Sequence, residues 1–248
     1  AFSLSGMADK RPERLAVLID ADNISYQIAD ALFEEVAKIG EAAVRRIYGD
    51  FSSPQLAGWA KSLPNHAIIP SQNFANTTGK NATDIALVID AMDLLHSGRF
   101  DGFCLISSDS DFTRLASRIR EQGLHVYGFG KQQTPESLRK ACHRFIYVEN
   151  LGNQVVEQQP ENPDKPVKSL LQPAKARALI DKAVTQLDAD GGWVALGGVG
   201  SYLLKLAPDF DPRSYGFAKL SSLVAKVGGF EVKPRETGGV WVRALPKG

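Results

Sequence analysis

The chain has 248 residues, 44% of them hydrophobic and 23% charged, and its formal net charge at neutral pH is +1. This composition is typical of a globular protein of one or two domains with a real core. No run of 18 apolar residues occurs, so no transmembrane helix is predicted. Two cysteines make no disulfide framework, and the N-terminus lacks the pattern of a signal peptide, so we expect a cytoplasmic protein.

The first part of the chain alternates between strand-like and helix-like patterns. Strands are predicted at residues 14–20, 43–48, 66–70, 102–107, 124–129 and 144–148. Helices are predicted between them, at residues 25–39, 54–62, 82–96, 112–122 and 137–142. This alternation predicts an α/β domain over residues 13–150 with a mostly parallel sheet. Residues 1–12 are predicted to be a tag or a disordered N-terminus.

The composition changes after residue 150. Residues 151–173 contain four prolines and few apolar residues, which predicts a linker. Residues 174–248 then show helical patterns at 174–187, 196–206 and 217–227, followed by strands at 230–233 and 240–243 around a turn. Three helices and a hairpin predict a small winged helix-turn-helix domain of the α+β class.

Charge is distributed unevenly between the two predicted domains. Residues 1–151 hold 16 Lys and Arg against 18 Asp and Glu, whereas residues 152–248 hold 13 against 10. A slightly acidic first part and a mildly basic second part suit an enzyme that carries a nucleic-acid-binding module.

Acidic residues cluster where predicted strands end or helices begin. Asp20 directly follows the apolar run 15–19 of the first strand, Asp84 lies at the start of the helix at 82–96, and Asp109 and Asp111 follow the fourth strand. The carboxyl ends of parallel strands line one crevice, where ligands bind. Carboxylates gathered there repel one another unless a hard cation neutralises them. The pattern therefore predicts a divalent-metal site of the kind that acts on phosphate esters.

Each of these acidic residues also has a structural interpretation. Asp22 or Asn23, in the turn after Asp20, could cap the first helix. Asp84 could simply interact with the helix dipole. A capping role would explain one of the two carboxylates Asp109 and Asp111, but not both.

Other polar and reactive residues are less informative. Lys80 lies in a glycine-containing loop and could hold a phosphate, with a plain surface lysine as the alternative. Asp90 and Asp93, further along the helix of Asp84, are predicted to lie on its solvated face. Cys104 sits within an apolar strand and is predicted to be a small buried hydrophobic residue.

Three motifs resemble the NYN domain of the PIN-like nuclease superfamily, in its LabA-like branch. They are LIDADNI at residues 18–24, GKNATDIAL at 79–87 and SSDSDF at 107–112, and the resemblance covers about residues 13–150. It implies a Rossmann-like parallel sheet and a metal-dependent ribonuclease site. On this resemblance the acidic positions are Asp20, Asp84, Asp109 and Asp111, the motif asparagine is Asn23, and the motif lysine is Lys80.

The second predicted domain resembles the LOTUS domain, also called OST-HTH. The resemblance is carried by SYGFAKLSSL at residues 214–223, by the strand and hairpin that begin at Phe230, and by Trp193 in the first loop. Such domains are linked to RNA binding and to protein contacts.

These features lead to one main hypothesis about function. The protein would be a metal-dependent ribonuclease that uses Mg²⁺ or Mn²⁺ to cleave phosphodiester bonds of single-stranded or locally unpaired RNA. Its second domain would bind the RNA and offer a possible contact for a protein partner. The candidate RNA contacts are Asn23, Lys80, Lys219, Lys226, Lys233 and Arg235.

Two alternatives remain at this point. The spacing of Asp20 and Asp22 matches the nucleophile and acid of haloacid-dehalogenase-type phosphatases, although Ile24 departs from that pattern. The chain could also be an RNA-binding or scaffold protein whose site has little or no activity.

Overall fold

A computed structural model describes residues 11–72, 82–152, 170–188, 192–234 and 238–245. The strands in these ranges are β1 Glu13–Asp20, β2 Gly40–Gly49, β3 Ile69–Gln72, β4 Gly102–Ile106, β5 His125–Gly130, β6 Arg144–Tyr147, β7 Val194–Ala195, β8 Phe230–Pro234 and β9 Val240–Ala244. The helices are α1 Ala29–Ala37, α2 Ala57–Ser62, α3 Ala82–His96, α4 Thr113–Glu121, α5 Glu136–Ala141, α6 Ala174–Leu187, α7 Leu196–Leu206 and α8 Leu220–Val227. Short 3₁₀ turns precede several of the helices.

The first six strands form one sheet in the order β3-β2-β1-β4-β5-β6. The registered pairs β1–β2, β1–β4, β2–β3 and β5–β6 are parallel. This is the doubly wound order, in which the chain reverses direction across the sheet between β1 and β4. The predicted α/β fold with a mostly parallel, Rossmann-like sheet is confirmed.

The central strand of this sheet is apolar because both of its faces are covered. In β1 the residues from Leu15 to Ile19 have no solvent exposure, and all of β4 is buried. Parallel strands that are buried on both faces are continuous apolar runs rather than alternating patterns. Cys104 in β4 is fully buried, as predicted, and burial raises the pKa of its thiol.

Several predicted elements begin at a different residue, and two of these shifts follow from a left-handed residue. The third strand was predicted to begin at residue 66, but a 3₁₀ turn ends there, Ala67 is left-handed with φ of 50°, and β3 begins at Ile69. The helix predicted at 217–227 begins at Leu220 because Gly216, with φ of 84°, ends the preceding turn and Lys219 is extended.

The chain from residue 170 onward folds as three helices and a small antiparallel sheet. The sheet has the order β7-β9-β8. Helices α6, α7 and α8 pack on it around a core that includes Ile180, Val199, Leu223 and Val242, all with no exposure. The predicted helix-plus-hairpin architecture is confirmed, and β7 is a third strand that was not predicted.

Residues 107–117, 127–152 and the chain from residue 170 pack as one compact unit. Within this unit, the Phe145 amide of β6, which is the edge strand of the large sheet, donates to the Pro208 carbonyl at 2.8 Å. This bond gives the Phe145 amide a partner, whereas an unpaired amide on an edge strand could pair with a strand of another chain. The domain boundaries predicted from the sequence stay predictions.

Polar side chains reinforce the same junction. Arg139 and the Tyr147 hydroxyl both bond to the Asp209 carboxylate, and Arg139 also donates to the Tyr147 oxygen at 2.9 Å. Asn150, which is fully buried, donates to the Ser214 hydroxyl at 2.9 Å. We call the network of Arg139, Tyr147 and Asp209 the 139–209 clasp.

Candidate active site

Asp20 is a buried carboxylate at the last position of β1. Only 1% of its surface is exposed. Asn23 donates its side-chain amide to Asp20 Oδ2 at 2.6 Å, and the Ala21 amide donates to the Tyr48 carbonyl of β2 at 3.0 Å. The turn after β1 therefore holds the Asp20 carboxylate in a fixed orientation.

Asp22 and Asn23 do not cap the helix that follows. Ser25 is the capping residue, and its hydroxyl accepts a bond from the Gln27 amide at 3.3 Å. A capping role for Asp22 or Asn23 is therefore wrong. A hydroxyl placed directly before the first helical turn performs this function, and it leaves Asn23 bonded to Asp20 instead.

Asp22 lies in a region of concentrated negative charge. Its side chain reaches solvent, but its carboxyl is partly desolvated, and this desolvation raises its pKa above the usual 3.8. The charges of Asp20 and Asp50 raise the pKa further. Because like charges oppose ionisation, the shift places these three carboxylates in one electrostatic environment.

Asp50 is a member of this group that the sequence analysis missed. It directly follows β2, the strand next to β1, and lies two residues beyond Tyr48, which is registered opposite Asp20. Gln72 donates to Asp50 Oδ1 at 2.8 Å, and the Ser52 amide donates to the same oxygen at 3.1 Å. The available signal was the acid placed immediately after an apolar strand, the same signal that identified Asp20.

Asp84 lies in the first turn of α3, as predicted. The helix is anchored two turns later by Asp90, whose Oδ2 accepts bonds from the Tyr48 hydroxyl at 2.9 Å and from Arg46 at 2.8 Å. The prediction that Asp90 lies on a solvated face is wrong, because a buried tyrosine and an arginine of β2 bind it. Burial of Tyr48 raises its pKa, and the charge of Asp90 raises it further.

Asp109 and Asp111 occupy the turn after β4. Asp109 Oδ1 accepts a bond from the Asp111 amide at 2.9 Å and so caps the short turn that begins at Ser110. The Ser107 hydroxyl accepts a bond from the Asp109 amide at 3.0 Å. As expected, capping explains one of the two carboxylates, and Asp111 remains exposed in the first turn.

The strand register relates this turn to β1. Ile19 pairs with Ile106, so β1 and β4 end at the same level at the point where the strand order reverses. Among the described residues, no group of three or more His, Cys, Asp or Glu is arranged to hold a metal ion. The convergence of Asp20, Asp84, Asp109 and Asp111 on one cation therefore stays a prediction.

The predicted RNA contacts are distributed along the chain. Lys80 and Arg235 lie outside the described residues. Lys219, directly before α8, Lys226, in its last turn, and Lys233, on β8, are all exposed. Because these three lysines are exposed, a ligand could reach them, but exposure alone does not show that they bind RNA. In the part of the chain that the structure describes, no helix is long and apolar enough to span a membrane.

Comparisons with known proteins agree with this architecture. The family model of the NYN domain matches residues 14–149, and that of the OST-HTH/LOTUS domain matches residues 158–242. No curated protein matches the chain. NYN domains belong to a nuclease superfamily, so the match associates residues 14–149 with hydrolysis of nucleic acid.

Two solved structures are similar to parts of the chain. A protein of unknown function from Vibrio parahaemolyticus is 20% identical, with a TM-score of 0.47, and the match covers 57% of this chain and 96% of that one. An uncharacterized protein from Nitrosomonas europaea is 33% identical, with a TM-score of 0.28, over 38% of this chain and 92% of that one.

The family model of the NYN domain matches more than half of the chain. The chain therefore belongs to the NYN-domain family, and it carries a C-terminal OST-HTH/LOTUS domain.

Proposed function

We propose that this protein is a metal-dependent ribonuclease that cleaves phosphodiester bonds of single-stranded or locally unpaired RNA. The observation that carries the proposal is a buried carboxylate, Asp20, at the end of the central strand of an NYN domain. Burial of an ionised group is costly unless the group is paired or binds a cation. Asn23 donates to one oxygen of Asp20, and the proposed site would place a cation against the same carboxylate.

The chemistry of the proposed ligands suits a hard divalent cation. Asp20, Asp84, Asp109 and Asp111 offer only carboxylate oxygens, the ligands that Mg²⁺ and Mn²⁺ prefer. Desolvation raises the pKa of Asp22, and the charges of Asp20 and Asp50 raise it further; a bound cation would oppose the effect of these charges. Mg²⁺ or Mn²⁺ held by these four residues would supply an activated water and stabilise charge on the leaving oxygen.

The chain's own residues would orient the site and the substrate. Asn23 fixes the Asp20 carboxylate through its 2.6 Å bond. Asp90, bound by Tyr48 and Arg46, holds the helix that carries Asp84. Lys80 would contact the scissile phosphate as a point charge.

The C-terminal domain would bind the RNA. The basic residues proposed to contact the RNA would neutralise its backbone phosphates, so binding would weaken as the salt concentration rises. A protein partner could bind the same domain. We propose that the protein acts in the cytoplasm, where its two buried cysteines would stay reduced. The proposed phosphate contacts of this domain are Lys219, Lys226, Lys233 and Arg235.

Cleavage of a labelled unstructured RNA in Mn²⁺ or Mg²⁺ tests the proposal. Asp20→Asn and Asp109→Asn should each lower the rate at least 100-fold, because loss of a ligand charge removes electrostatic stabilisation of the reacting phosphate. Asp93→Asn is the matched control, since Asp93 is an exposed acid of α3. Equal cleavage by wild type and Asp20→Asn would reject this site.

Binding measured beside cleavage separates the other hypotheses. Tight RNA binding with no metal-dependent cleavage by the wild type would favour the scaffold hypothesis. Phosphate release from a small monoester, with a covalent aspartyl-phosphate at Asp20, would favour the phosphatase hypothesis.

A further inference from the structure

The outer face of the small antiparallel sheet carries aromatic and charged side chains. Val242 of β9 has no exposure and faces the core, so its neighbours Trp241 and Arg243 point to the opposite face. Val194 and Val232 pair with Val242 on the two flanking strands. The residues next to them therefore share the outer face, which is formed by Trp193, Glu231, Lys233, Trp241 and Arg243. We call this set the tryptophan face.

The cations of this face are gathered around one indole ring. Lys233 Nζ lies 4.0 Å from the centroid of the Trp193 ring, and Arg243 Cζ lies 4.8 Å from it. The Arg243 guanidinium is also held from β8 by Glu231, at 2.6 Å. Lys233 is registered opposite Trp241 on β9. Two indoles and two cations, from β8, β9 and the residue directly before β7, thus lie on one face of the sheet together with Glu231.

This surface has the chemistry that recognises an unpaired nucleotide. A base stacks on an aromatic ring or on the plane of a guanidinium, and the phosphate attached to it pairs with a nearby cation. Cation–π contacts at exposed positions are weak, so a base can replace one of them at little cost. Duplex nucleic acid hides its bases and would engage only the two charges.

We propose that the tryptophan face is a stacking platform for single-stranded RNA, with Trp193 as its central ring. The proposal deepens the RNA-binding part of the proposed function and rests on it. It differs from the lysine contacts suggested above because it assigns affinity to stacking as well as to charge. Positive charge beside the rings favours a polyanion over an apolar protein surface as the occupant.

Binding of fluorescein-labelled oligo(U) to the full chain carrying Asp20→Asn, measured by anisotropy in EDTA, tests the platform without cleavage. Trp193→Ala should weaken binding roughly 5- to 150-fold, the loss of one base stack, with an unchanged slope of affinity against salt. Arg243→Ala should weaken binding and reduce that slope by about 1. Lys205→Ala, an exposed cation of α7 in the same domain, is the charge control.

Intrinsic fluorescence gives a second readout with variants that preserve the fold. The chain has three tryptophans, and Trp59 is buried with its indole N–H bonded to the Ile24 carbonyl, so it forms a constant background. Oligo(U) should quench the wild-type emission. The double variant Trp193→Phe with Trp241→Phe should lose the quench while it keeps most of the affinity, because phenylalanine also stacks.

Two results would overturn the platform. One is Trp193→Ala binding oligo(U) within twofold of its parent, which would leave the face to a protein partner. The other is a matched RNA duplex binding as tightly as oligo(U) and losing as much affinity on Trp193→Ala. If either result is found while cleavage still depends on Asp20, the stacking platform is refuted and the ribonuclease proposal stands. Normal stacking without any cleavage by the wild type refutes only the ribonuclease proposal.

Discussion

Removal of a single buried hydroxyl, by Tyr48→Phe, should destabilise the first domain by an amount that depends on pH. Tyr48 has no exposure, and its hydroxyl donates to Asp90 Oδ2 at 2.9 Å. A hydrogen bond to a charged group contributes about 1.5–3 kcal/mol to stability. Arg46 still pairs with Asp90 in the variant, so Asp90 is not left alone. We therefore expect a loss of about 2 kcal/mol at neutral pH.

The sign of the pH dependence follows from the raised pKa of Tyr48. Burial and the charge of Asp90 keep the folded hydroxyl protonated above the usual value of 10.0, at which the unfolded chain ionises. The contribution of this proton to stability is complete below pH 10. It falls by about 1.4 kcal/mol for each pH unit above 10, because only the unfolded state gains from ionisation. The difference between wild type and Tyr48→Phe should therefore vanish about 1.5 pH units above 10.

Urea denaturation of the full chain at several pH values between about 7 and 11.5 measures this difference. Tyr26→Phe is the matched control, because Tyr26 is 44% exposed and its substitution should leave the free energy of unfolding almost unchanged. A difference below about 0.5 kcal/mol at neutral pH would contradict the proposed strength of the bond. A difference that stays constant up to the highest pH would contradict the raised pKa.

Three further predictions concern the site and the junction. Asp209→Asn in the 139–209 clasp should cost about 1–2 kcal/mol, because it removes the ion pair with Arg139 and weakens the bond from Tyr147; chemical denaturation measures the loss. Asn23→Ala should cost about 1–3 kcal/mol and lower the cleavage rate at least 10-fold, since it leaves the buried Asp20 carboxylate without its amide donor; parallel denaturation and rate measurements test both effects. Mn²⁺ at about 100 times its dissociation constant should stabilise the wild type by about 2.7 kcal/mol and stabilise Asp20→Asn much less, and EDTA should reverse the gain in a thermal melt.

Each of these predictions has an outcome that contradicts it. A free energy of unfolding for Asp209→Asn equal to that of the exposed control Asp93→Asn would mean that the clasp is not stabilising. Full activity of Asn23→Ala would remove Asn23 from the site. Equal stabilisation of wild type and Asp20→Asn by Mn²⁺ would place the bound cation elsewhere.

Most of the fold could be predicted because its signals are local. Helices α3, α6 and α7 have the bounds predicted from apolar periodicity, and the buried run from Leu15 to Ile19 identified β1. Local backbone conformation accounts for two errors. Ala67 and Gly216 are left-handed, and periodicity does not show where such a residue interrupts an element.

The remaining errors concern partners that are distant in sequence. Asp90 lies on a helix whose pattern left it on the polar side, yet its partners Arg46 and Tyr48 are 44 and 42 residues away. Strand β7 has only two residues and exists because Val194 pairs with Val242. A strand this short carries no periodic signal of its own, so the tryptophan face could not be predicted from the sequence either.

Asp50 shows how the sequence rule for the site can be improved. The useful signal at Asp20 was its position, one carboxylate at the end of a buried parallel strand, rather than the motif around it. Asp50 likewise lies at the end of its strand, directly after β2, and its charge raises the pKa of Asp22 although Asp50 is outside the three motifs described above. Since carboxyl ends of neighbouring parallel strands meet at one edge, any acid within one residue of such an end contributes to the field at that edge. Applied to every strand, the rule identifies Asp20 and Asp50 together, and it predicts that Asp50→Asn lowers the pKa of Asp22.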